Sequence, residues 1–145
     1  MQTLEKLRPL ALLVLRAALG AIFVYHGYPK LFVHARETAQ QFAHMGFPAY
    51  FAFIAGILEL FGGLLLIAGL FTRIAGLLLA GEMGVALWKV HMIFSQPRAM
   101  HNYEFPLMMA AGSFALATLG AGLISFDQIL FRENRPTPRK QKSKE

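Results

Sequence analysis

Three ionisable side chains stand inside long apolar stretches: Arg16, Glu59 and Glu82. Charge at such depth is costly, so by default these groups face one another and do something. At 1.5 Å of rise per residue, Arg16 lies about two turns into its run and Glu59 near the centre of its own. Glu82 lies about nine residues into a third. The expectation is one buried network at a common height, in which mutual pairing offsets much of the desolvation cost. Two carboxylates against one arginine leave an excess negative charge. Unless Lys89 reaches in, that excess favours protonating one Glu, which makes the trio a proton-handling or polar-ligand candidate. The alternative is a structural ion-pair cluster that only fixes helix order.

A second group gathers where apolar runs end. It holds Tyr25, His26 and Lys30, then Lys89 and His91, then His101, Asn102, Tyr103 and Glu104. Antiparallel helices would bring these segments to one end of a bundle. Their donors suit the carbonyls of a quinone headgroup, so the expected site is a pocket open to the membrane or the outer surface. The histidines and Glu104 are ligand types, but their spacing is no recognised metal motif, and no metal centre is expected. The plainer alternative is a belt of interfacial anchors, which suits Tyr25, Trp88 and Lys30 well.

The elements that must position these groups are legible from composition. Hydrophobic residues are 56% of the 145, charged residues 15%, and mean hydropathy is +0.48, against about 25% charged in soluble domains. A disordered chain and an ordinary water-soluble surface are both excluded. Four apolar runs follow, at about 10–28, 50–71, 74–94 and 105–124, each close to the roughly 20 residues that cross a bilayer as helix. Strands of a barrel would alternate in polarity, and these runs do not. Pro29 is expected to end the first run and Pro48 to open the second. The segment His34–Met45 between them reads as a short amphipathic helix at the interface. Thr72-Arg73 makes a very short second connection, and 95–103 reads as a polar loop. The expected fold is an all-α integral membrane four-helix bundle with that interfacial helix. One membrane domain covers 1–131, and 132–145 is a basic, disordered cytoplasmic tail. Spans one and three both end in an aromatic–His stretch, which amounts to no more than a weak two-by-two pseudo-repeat.

The net charge of +6 does not read as nucleic-acid binding, because six of the basic residues crowd the last fourteen positions. Nine Lys and Arg on the side of the termini against four on the other place both termini in the cytoplasm of an inner-membrane protein. The first run, interrupted by Arg16, does not read as a cleavable signal. The absence of cysteine removes disulfides, CxxC redox chemistry and thiolate metal sites. No Walker A, GxSxG, HExxH, dinucleotide or CxxCH haem motif occurs.

HGYPKLF (His26–Phe32), GFP (Gly46–Pro48), AGILELFGGLLLIAGLFTR (Ala55–Arg73), ALWKVH (Ala86–His91) and NYE (Asn102–Glu104) together make the chain resemble the DoxX family of small four-span membrane proteins. The motif positions carried over are Gly27, Lys30, Glu59, Gly62, Gly63, Gly69, His91, Asn102, Tyr103 and Glu104, and Arg16 agrees with a basic residue often seen in the first span. The resemblance implies a quinone- or redox-linked subunit of a membrane oxidoreductase complex. Such a subunit has no intrinsic prosthetic group, quinone is its ligand class, and a partner protein and membrane lipids surround it. A non-enzymatic scaffold or chaperone-like protein, and a small proton-coupled transporter using Glu59 and Glu82, stay open beside it, as does the oligomeric state.

Overall fold

The computed structural model of the protein describes residues 5–89 and 100–130. Every regular element among them is helical: α1 (Arg8–Tyr28), α2 (Ala35–His44), α3 (Tyr50–Ala68), α4 (Thr72–Lys89), α5 (Met100–Leu119) and the short α6 (Phe126–Leu130). Two stretches, Arg8–Val33 and Tyr50–Ala68, are long and apolar enough to cross a membrane, and Glu104–Leu119 is apolar but shorter. α1 packs chiefly along α3, and α4 along α5, with α3 against α4 joining the two pairs. The core is the seam between them, built from Leu12, Leu19, Phe23, Leu66, Ala75, Leu79, Met83, Met109 and Leu116. Large apolar side chains such as Val14, Phe61, Leu64, Leu77, Met108 and Phe114 point outward, too continuous a coat for water and the right one for lipid. The chain is an all-α membrane bundle.

Pro29 does not end the first helix. It opens a π-helical turn over Pro29–Val33, in which the His34 amide reaches back to the Pro29 carbonyl at 2.7 Å. Proline cannot donate to the α-helical ladder and crowds the carbonyl four residues back. The wider turn absorbs both defects, so the helix continues and turns Lys30 into the bundle. The chain then enters α2, which matches the expected amphipathic helix to within a residue at each end.

Glycines set the register of α1 against α3. A methyl on Gly20 would sit 2.6 Å from the Gly63 carbonyl oxygen, and one on Gly27 would sit 2.5 Å from the Leu60 amide nitrogen and 2.9 Å from Glu59 Cβ. The backbones touch because no side chain intervenes, the usual basis of close helix approach in membranes. Ala52, Ala55, Gly56, Glu59 and Gly63 lie on one face of α3 at helical spacing, and all are buried. On α4 the glycines are packed only in part. Gly76 lies against the Ser113 carbonyl, whereas Gly84 faces open space.

The helix ends differ from the apolar runs. α3 stops at Gly69, at φ 70°, whose amide bonds Leu66 while that of Leu70 bonds Leu65, a Schellman ending. α4 begins at Thr72, and α5 begins at Met100 with Pro106 inside it and stops at Leu119. The residues expected to finish the fourth span, 120–124, instead form a turn through Gly120 and Gly122, both at positive φ. His91 and the tail from 132 onward lie outside the described residues.

Candidate functional site

The expected Arg16–Glu59–Glu82 network does not form. With Gly20 facing Gly63 and Gly27 facing Gly56, the residue of α1 level with Glu59 is about Val24. Arg16 lies two turns below that level, about 12 Å along the axis. Its guanidinium, 2% exposed, donates instead to the carbonyls of Ala121 and Ile124, each at 2.7 Å, and lies against Gly69. Beside it Asp127 accepts from the Phe71 and Thr72 amides at 2.7 and 3.0 Å, and its own amide donates to the Gly69 carbonyl at 2.9 Å. Arg16 and Asp127 together tie the α3–α4 turn to the end of α5, and Phe71 is held at φ 50° within that knot.

At the opposite end Glu59 meets Lys30, Nζ to Oε1 at 2.6 Å, with side chains 4% and 27% exposed. In the sequence these two belong to different expected clusters. The π-turn supplies Lys30, the Gly27–Gly56 approach brings it to α3, and Glu59 is fixed on the small-residue face. Glu82 belongs here too, since it lies close enough to feel both the Glu59 and Lys30 charges. The Oε2 atoms of both carboxylates are buried without a hydrogen-bond partner.

A cavity of about 290 Å³ opens beside this pair, lined by Phe23, His26, Lys30, Glu59, Met83, Ala86, Phe105, Pro106 and Met109. It draws on α1, α3, α4 and α5 together. The His26 ring packs on Phe105 at 5.2 Å between centroids. The walls are apolar and aromatic, and the polar groups converge at one side, which is the usual build of a small-molecule site.

The outer rim converges only in part. His26 and Lys30 reach the cavity, and Tyr25 stands exposed, edge-on to His26. Lys89 does not line it: its ammonium lies over the Phe47 and Trp88 rings at 5.9 and 5.3 Å, where a long stem can lie on apolar surface. Glu104 is exposed near the start of α5 and does not line the cavity. His101, Asn102 and Tyr103 sit on the first turn of α5, but their side chains, like His91 as a whole, lie outside the described residues. The sequence reading missed Phe23, Met83, Phe105 and Met109, which are apolar and resemble any other core residue.

Fold and site together define a membrane bundle with a polar cavity beside Lys30 and Glu59 near one end, and a wider one of about 820 Å³ at the other, lined by Arg8, Arg73 and Asp127 among others. The DoxX family profile matches residues 11–92, and the chain belongs to that family. It is 34% identical over 120 residues to "Putative oxidoreductase CatD" of Bacillus subtilis (strain 168), covering 83% of this chain and 87% of that one. It is 28% identical over 127 residues to inner membrane protein YqjF of Escherichia coli (strain K12), covering 88% and 97%. Inner membrane protein YphA of the same organism is 32% identical over 129 residues, covering 83% and 91%. No solved structure matches the chain at a significant level.

Proposed function

We propose that the chain is a quinone-linked subunit of a membrane oxidoreductase complex, with the quinone headgroup held in the cavity beside Lys30 and Glu59. The observation that carries this reading is the cavity's build: aromatic and thioether walls from Phe23, Phe105, Met83 and Met109, with a half-buried ion pair at one side. A flat, apolar ring with polar substituents matches that combination. The name of the Bacillus relative, "Putative oxidoreductase CatD", supports the same reading. The chain brings no prosthetic group of its own in this reading, so a partner protein supplies the catalytic centre. The protein sits in the inner membrane with both termini in the cytoplasm, on the strength of its nine-to-four distribution of Lys and Arg. Purification in mild detergent followed by mass spectrometry tests the proposal. Copurified quinone and a soluble redox protein are expected, and protein free of both contradicts it.

A further inference from the structure

Glu59 is the side chain at the cavity whose hydrogen bonding is incomplete. Oε1 takes the Lys30 ammonium at 2.6 Å, whereas Oε2 is buried with no partner. A carboxylate paired with an ammonium is an acceptor only, so whatever completes it must bring a hydrogen-bond donor. A buried acceptor left bare costs more than an ordinary hydrogen bond returns, and this requirement therefore sorts ligands.

A quinone ring carries carbonyl oxygens and no donor. Lodged beside the ion pair, it could accept a hydrogen bond from Lys30 but would leave Glu59 Oε2 bare. A ring hydroxyl accepts and donates at the same atom. It can accept an N–H···O bond from Lys30 while donating its own O–H to Glu59, and both groups line the same cavity. The rest of the lining, from Phe23 and Phe105 to Met83 and Met109, is indifferent to the ring's oxidation state. From this donor–acceptor balance we infer that the site selects the reduced, hydroxyl-bearing ring, a hydroquinone, over the corresponding quinone.

The inference rests on the function proposed above and is separable from it. Isothermal titration of the purified full-length protein in detergent, under anaerobic conditions, compares duroquinol with duroquinone. The wild type should bind duroquinol about tenfold more tightly. In Glu59→Gln the amide can donate to a carbonyl, so the preference should collapse to less than about twofold. Its thermal unfolding midpoint, read alongside, establishes that the variant is folded. Duroquinone binding as tightly as duroquinol in the wild type overturns the inference while leaving a quinone site in place. Binding of neither form overturns the proposed function itself. Should Glu59→Gln not fold, the wild-type ratio alone decides.

Discussion

The two ends of the bundle each bury one charged side chain from α1 and α3, and they use it in opposite ways. Arg16 donates two guanidinium N–H groups to the Ala121 and Ile124 carbonyls, its Nε staying buried without a partner, and the neighbouring Asp127 spends both carboxylate oxygens on backbone amides. Glu59 uses one oxygen on Lys30 and keeps the other bare beside a cavity. One charge is bound to backbone at two points, whereas the other is paired with a side chain and lines a cavity. Depth in the membrane does not separate the two; the identity of the partner does.

The largest expected effect follows from breaking the fastened end. Arg16→Ala strands two carbonyls and empties a fully packed volume, and should cost about 3–5 kcal/mol. Thermal or denaturant unfolding in detergent measures it. Arg16→Ala combined with Glu59→Gln should lose the sum of the two single effects, because the sites lie about 12 Å apart and share no partner. Coupling above about 0.5 kcal/mol would join the two ends after all.

The cavity end should respond differently. Removing Glu59 alone leaves Lys30 without its partner and should cost about 2 kcal/mol, the ammonium being partly open to solvent. The double change Lys30→Met with Glu59→Leu replaces both charges by apolar groups of similar size. It should recover most of that stability while abolishing ligand binding. If the double variant still binds quinol analogues like the wild type, the ion pair has no part in recognition.

A smaller effect is expected at Asp127. Asp127→Ala removes the cap on the Phe71 and Thr72 amides and should cost about 1 kcal/mol, with ligand affinity unchanged. Smallest of all, Lys89→Gln and Glu104→Gln should move stability by no more than about 0.5 kcal/mol and leave binding as it is, because neither side chain reaches the cavity. A tenfold loss of affinity in either would restore the wider rim that the sequence suggested.

Much of this contrast was legible in the sequence, and its failures have physical causes. The first two apolar runs and the amphipathic α2 form helices where composition and helical spacing put them. The Arg16–Glu59 pairing fails because depth was counted from the start of each run, and runs do not begin at a common plane. Gly20 and Gly27 are seven apart, as are Gly56 and Gly63, and pairing those glycines would have fixed the register and separated the charges. The Lys30–Glu59 pair was hidden by reading Pro29 as a stop. The apolar Leu31-Phe32-Val33 beyond it was the sign that the helix goes on. Lys89 looked like a rim donor because sequence gives its position but not the Phe47 and Trp88 rings that hold it.

The most direct test of the account is to map where a quinone ring binds. An azidoquinone photolabel, reacted with the protein in native-like membrane and followed by peptide mass spectrometry, should mark Phe23–Lys30, Met83–Ala86 and Phe105–Met109. A hydroquinone should compete the label away. Label concentrated around Arg16, Gly69 and 120–128, or spread over the lipid-facing surface without competition, would contradict the division of the bundle into a fastened end and a binding end.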